Sequence, residues 1–231
     1  MPGPLRARGT RAGFRLLARL RRAPAFHPRG LTCTGELTVT GASGAPWYAP
    51  WLDGPGRYAC VVRLSRGAGL PWRLPDWLGL AVRALEAGGP GRHLDLLLTT
   101  SARPPVVRHL PLPRGDALGG PYSGLLPYRV GGRRMLLAAF PRRRLRPVHG
   151  DPAALRRALA GGPLVFDLRA ATPLGRWRTF AVLTVRSPLP EPPGSTPGYD
   201  VYEHSLPGLV PGPALATVRR AAYAGSRRGR R

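Results

Sequence analysis

A chain of 231 residues, 43% of them hydrophobic, suits one domain with a sizeable core and short extensions. The formal net charge of +25 would ordinarily direct attention to nucleic acid or an anionic surface. However, all 36 basic residues are Arg, and Lys, Asn, Gln and Ile are absent while Gly, Pro, Ala and Arg abound. A strongly GC-biased coding habit writes that composition whatever the function, so charge alone does not identify a nucleic-acid partner. Two cysteines, Cys33 and Cys60, exclude a disulfide framework and read as buried free thiols.

In chain order, residues 1–24 form a basic extension in which Phe14, Leu16, Leu17 and Leu20 recur at helical spacing among arginines. It has neither the apolar stretch of a secretory signal nor the length of a transmembrane span. A solvated basic helix packed on the domain and a helix touching anionic lipid both fit this pattern. From residue 25 to 187 the texture changes to short alternating apolar runs separated by Gly and Pro. Strands are predicted over 31–40, 58–65, 78–85, 94–101, 134–140, 163–172 and 178–185, a density that suggests an antiparallel sheet or barrel. Between the fifth and sixth of these, "DPAALRRALAGG" (151–162) carries a helix signature with Asp151 as cap, Pro152 in the first turn and Gly161 as terminator. Residues 188–212 read as a Pro/Gly-rich extended linker, and 213–231 as a C-terminal helix with a basic tail. A cytoplasmic location is expected.

The sequence contains no HExxH, paired CxxC, Walker or GxSxG signature. Three local features remain. His27 stands just before the first strand, followed by Arg29 and Gly30. In "YACVVRLS", alternation puts Val61, Arg63 and Ser65 on one face and Val62 and Leu64 on the other; an arginine there needs a partner, because an unpaired buried charge is costly. Glu36 or another strand carboxylate is open as that partner. Finally, Arg219 precedes Tyr223 by four residues in "VRRAAY", one turn away on a helix. From the residues alone, His27 also fits an inert loop histidine and Tyr223 a ring packed on the domain with its hydroxyl wet.

In this order the features resemble the haem-dependent catalase superfamily, in a compact form similar to the minimal catalase-related peroxidases. His27, Arg29 and Gly30 match the opening block; "VRLS", "DWLGLAVR" and "LDLLL" match the next; Arg219 and Tyr223 match the proximal R-x-x-x-Y motif. The resemblance spans roughly residues 25–225. It implies a mainly β fold with flanking helices, the catalase-like antiparallel β-barrel, with haem b as cofactor. It implies Tyr223 as the axial ligand of the haem iron, made phenolate by the iron and Arg219. His27 becomes the distal acid-base group, Arg63 and Arg29 partners of the haem propionates, and Ser65 a hydrogen-bonding partner of the histidine.

The chain departs from the family where a distal asparagine is expected. It has no asparagine, and Thr99, Thr100 and Ser101 occupy the neighbourhood, with Thr100 as the positional match. Pro24 replaces an arginine three residues before the histidine. A shorter hydroxyl in place of an amide points to a peroxidase of organic or lipid hydroperoxides rather than an efficient hydrogen peroxide dismutase. The competing class is a haem-free barrel that binds phosphate, or hydrolyses phosphodiesters, through its arginines. A peroxide is the expected partner, without specific nucleic acid or a transmembrane segment; weak contact of the basic termini with an anionic surface, and assembly into a homo-oligomer, are left open.

Overall fold

The computed structural model of the protein describes residues 29–42, 44–71, 73–142, 144–190 and 198–212. Its principal strands are β1 (Arg29–Val39), β2 (Gly56–Arg66), β3 (Leu78–Ala84) and β4 (Leu94–Thr100), followed by β5 (Tyr122–Ser123), β6 (Tyr128–Val130) and β7 (Arg133–Pro141). Strands β8 (Leu164–Ala171), β9 (Arg178–Pro188) and β10 (Leu209–Pro211) complete the set. A four-residue helix, α1 (Pro50–Asp53), lies between β1 and β2, and α2 (Pro152–Ala160) links β7 to β8.

The pairing order β7-β5-β4-β3-β2-β1-β9-β8 closes on itself through a β7–β8 pairing, giving an eight-stranded antiparallel barrel. Closure removes the sheet edges that would otherwise invite aggregation. Seven of its strands coincide with the seven predicted runs to within three residues at either end. The β6 and β10 strands extend as a small ribbon from β7. The turn between β6 and β7 is Gly131-Gly132, with φ of 52° and 83°. Both lie in the left-handed region that a two-residue hairpin of this hand requires and that glycine adopts without strain.

A period of two turns every second residue inward. Leu31, Cys33 and Leu37 of β1 meet Val62 and Leu64 of β2, Leu80 and Val82 of β3, and Leu96 and Leu98 of β4. Phe166, Leu168, Leu183 and Val185 close the far side. As expected for a barrel of this size, side chains fill the interior, leaving a packed core rather than a channel. Burial pushes the Cys60 thiol up to about 12, and neither cysteine is disulfide-bonded. At the start of α2 the Asp151 side chain accepts a hydrogen bond from the Ala154 N–H at 2.9 Å, which satisfies one of the helix's unpaired donors. Leu155 and Leu159, one turn apart, bury its inner face while Arg156 and Arg157 stay outside. Within the segment expected as a linker, residues 198–212 return to the barrel and end in β10.

Candidate functional site

Two rows of register partners define the barrel wall beside the expected site. Leu31, Leu64, Leu80 and Leu98 face one another across β1 to β4 and fill the interior. One residue along lies a row facing outward: Gly30, Ser65, Gly79, Thr99, Ser123 and Ala138, on β1 to β5 and β7. No side chain in it is larger than threonine. Across β1 to β4 alone this row spans about 14 Å, taking the usual separation of neighbouring strands. The next outward row on these strands is Thr32, Arg63, Ala81 and Leu97. The outward wall is therefore low in relief and carries a single guanidinium in these two rows.

Arg63 is only 4% exposed. Its Nη1 donates to the Thr32 hydroxyl at 3.2 Å, and its head lies across Gly30. A Cβ at Gly30 would stand 2.8 Å from Arg63 Cζ, 2.9 Å from its Nη2 and 2.8 Å from the Leu64 carbonyl oxygen. Gly30 thus makes room for a buried cation. Glu36, the other partner open to Arg63 from sequence, stands four positions further along β1 opposite Ala59, with Arg186 at 4.0 Å. Ser65 is buried in the same outward row, between Gly30 and Gly79.

Thr100 is placed differently from the expectation. It shares the parity of Leu98, is fully buried, and its Oγ1 accepts a hydrogen bond from the Leu78 N–H at 3.1 Å. The residue on the face of Ser65 is Thr99, whose hydroxyl donates to the Leu78 carbonyl at 3.2 Å. Neighbouring residues on a strand face opposite ways, so Thr99 and not Thr100 shares the outward row with Ser65. Arg29 pairs through its backbone with Arg66 as the first residue of β1. His27, Arg219 and Tyr223 lie outside the described residues. The structure thus brings Arg63 and Ser65 together on one wall and turns Thr100 to the other.

A second polar cluster escaped the sequence reading. Asp95 is fully buried on β4, directly opposite Arg83 of β3. Arg83 donates to both its oxygens, Nε to Oδ1 at 2.8 Å and Nη2 to Oδ2 at 2.7 Å. Asp95 also accepts from the Asp200 N–H at 2.7 Å, and His204 Nδ1 lies 3.0 Å from it. Arg83 Nη2 donates to the Gly198 carbonyl at 2.7 Å as well. The hydrogen bond to Asp95 raises the Arg83 pKa above its ordinary value. This network fastens residues 198–204 to the barrel. Its one signal in sequence is a lone carboxylate in the apolar run "LDLLL", one strand after an arginine in "LAVRAL".

Among the described residues no group of three or more His, Cys, Asp or Glu side chains is placed to hold a metal ion, and no helix is long and apolar enough to cross a membrane. A low wall beside a buried guanidinium suits a flat ligand that bears carboxylates, and in this respect the residues present fit a haem with its propionates.

No protein-family model matches the chain, and no curated protein matches it in sequence. Among solved structures, a bacterial catalase superposes with a TM-score of 0.59 over 94% of this chain and 59% of its own, at 13% identity. A fungal catalase superposes with a TM-score of 0.61 over 90% of this chain and 60% of its own, at 11% identity. The chain therefore spans about three fifths of the length of either. At these identities the likeness speaks for architecture, and the architecture of this chain is a catalase-like β-barrel.

Proposed function

We propose that the protein binds haem b against the outward wall of its barrel and acts on peroxides, as a peroxidase of organic or lipid hydroperoxides rather than an efficient dismutase. The observation that carries this reading is the Gly30–Ser65–Gly79–Thr99 row beside Arg63, on a barrel of catalase-like fold. Arg63, positioned by Thr32 and by the space above Gly30, would hold a propionate, with Arg29 as a second cationic partner at the strand start. Tyr223 would supply an oxygen ligand to the haem iron, and Arg219 would keep it phenolate by favouring the charged form. Bound haem supplies the redox centre at which the peroxide bond is cleaved.

His27 would take the proton from one peroxide oxygen and return it to the other as it leaves. Ser65, in the outward row beside Gly30, would be the hydroxyl that orients that imidazole. Thr99 replaces Thr100 in this proposal as the hydroxyl on the pocket side. A threonine reaches less far than the asparagine of the family, and the one hydrogen of the Thr99 hydroxyl is already donated to the Leu78 carbonyl. The grip on a small peroxide weakens and room for a bulkier substrate increases.

The test is turnover at equal haem content. His27→Ala is expected to retain haem and to lose on the order of 100-fold to 10,000-fold in organic-peroxide turnover. The wild type should prefer an organic hydroperoxide to hydrogen peroxide, and Thr99→Asn should move the ratio toward hydrogen peroxide while Thr100→Asn should not. Unchanged turnover in His27→Ala removes the acid-base assignment; vigorous dismutation by the wild type removes the substrate preference.

A further inference from the structure

The two loops at one end of the barrel reverse the usual distribution of polar and apolar residues. Residues 67–77 join β2 to β3 and residues 101–121 join β4 to β5. Both leave the end marked by Arg66, Leu78 and Thr100, and they are joined by reciprocal backbone hydrogen bonds between Asp76 and Arg114 at 3.1 and 2.8 Å. Of the nine exposed large apolar residues among those described, five lie on these loops: Leu70, Leu74, Val106, Leu110 and Leu112. Leu74 is 50% exposed and Val106 71%. Meanwhile Asp76 and Arg108 of these loops, with Arg66 at the end of β2, turn inward as braces. Asp76 is fully buried, faces Arg66 and accepts from the Ala68, Leu70 and Trp77 N–H groups. Arg66 donates to the Pro71 and Leu74 carbonyls. Arg108, 1% exposed, donates to the Pro105 and Gly175 carbonyls and stacks on Trp177.

Burying a guanidinium costs far more than burying a leucine. A fold that does the first while leaving leucines in water on the same loop has a use for the leucines. Their surroundings indicate what covers them. Arg73, Arg103 and His109 are exposed among them. The loops' only two acidic residues are engaged internally, Asp76 as above and Asp116 by the Leu118 and Val148 N–H groups. Apolar side chains interspersed with cations, with both loop carboxylates held by backbone N–H groups, complement an anionic bilayer interface, where leucines enter the acyl boundary and arginines stay with the headgroups.

We infer that this barrel end docks on an anionic phospholipid surface through Leu70, Leu74, Leu110 and Leu112, with Arg73 and Arg103 at the headgroups. The inference stands without the haem reading. If that reading also holds, Ser65 and Thr99, the last outward residues before this end, would lie beside the lipid from which a hydroperoxide comes.

The experiment is co-sedimentation of the full chain, prepared without added haem, with phosphatidylcholine vesicles lacking or containing phosphatidylglycerol. The comparison is with Leu70→Ser/Leu74→Ser/Leu110→Ser/Leu112→Ser and with Arg73→Glu/Arg103→Glu. All six positions are exposed, so both variants should melt as the wild type does, and a melt verifies it. The expected result is binding to phosphatidylglycerol vesicles that persists in part at high salt. The leucine variant should weaken it about tenfold or more, and the arginine variant should reduce the preference for the anionic lipid. Equal binding by the leucine variant would assign the affinity to the arginine-rich ends of the chain and overturn the proposal, as would absence of binding. Self-association of the wild type without lipid, abolished in the leucine variant, would overturn it in favour of a protein interface.

Discussion

Replacing Gly30 with alanine probes the seat of Arg63 directly. The new Cβ would stand 2.8 Å from both Arg63 Cζ and the Leu64 carbonyl oxygen, inside van der Waals contact with each. The carbonyl belongs to the β1–β2 ladder and cannot retreat without loss of pairing, whereas the guanidinium can tilt away from Thr32. Overpacking of this kind costs about 1–3 kcal/mol, and the stiffer unfolded chain of an alanine returns about 0.4–1 kcal/mol. The middle of those ranges leaves a net loss of about 1.3 kcal/mol, or roughly 3–5 °C in melting temperature for a domain of this size. Thermal unfolding by circular dichroism measures it in wild type and in an Arg63→Met background. If displacement of the guanidinium dominates, the alanine costs less in the second background, and the two substitutions are non-additive. A cost that is absent, or equal in both backgrounds, would refute the idea that Gly30 exists to accommodate Arg63.

Asp95→Asn should destabilise the fold by about 2–3 kcal/mol, because it leaves Arg83 and His204 without their shared anion, and hydrogen exchange should accelerate selectively at residues 199–206. Asp151→Ala should cost about 1 kcal/mol through loss of the cap on α2, seen as a lower denaturant midpoint at unchanged slope. Folding holds the Cys60 thiol at about 12 against an ordinary 9.0. Between those values the unfolded chain releases a proton that the folded one keeps. Stability present below pH 9 therefore falls as pH rises, by up to about 1.4 kcal/mol per unit, and Cys60→Ala should flatten the onset of alkaline unfolding. Tyr122, fully buried with its hydroxyl donating to the Ala117 carbonyl at 2.8 Å, is raised from 10.0 by desolvation and adds to the same slope at higher pH.

The long strands were legible because each turns alternate residues into the barrel, as "CVVRLS" does with Val62 and Leu64 toward the interior and Arg63 and Ser65 toward the outer wall. The α2 helix was legible from Asp151, Pro152 and Gly161, residues chosen for local backbone chemistry. Strands β5, β6 and β10 were not: two or three residues long and set among Pro and Gly, they have no period to read, and tertiary pairing alone makes them strands. The site was partly legible. Alternation separated Arg63 from the core, but the seat formed by Gly30 and Thr32 needs the β1–β2 register, and the choice between Thr99 and Thr100 turns on the β3–β4 register. The Asp95–His204 contact joins residues 109 apart, a proximity that local pattern cannot carry.

The function proposed above requires that the protein bind haem with Tyr223 as a ligand of the iron. Titration of the purified protein with ferric haem, followed by visible absorption in wild type and Tyr223→Phe, tests it most directly. Saturation at one haem per chain is expected, with the brown-green spectrum of a ferric phenolate, and the spectrum should change when the phenol oxygen alone is removed. Failure to take up haem, or an identical spectrum in Tyr223→Phe, would contradict it.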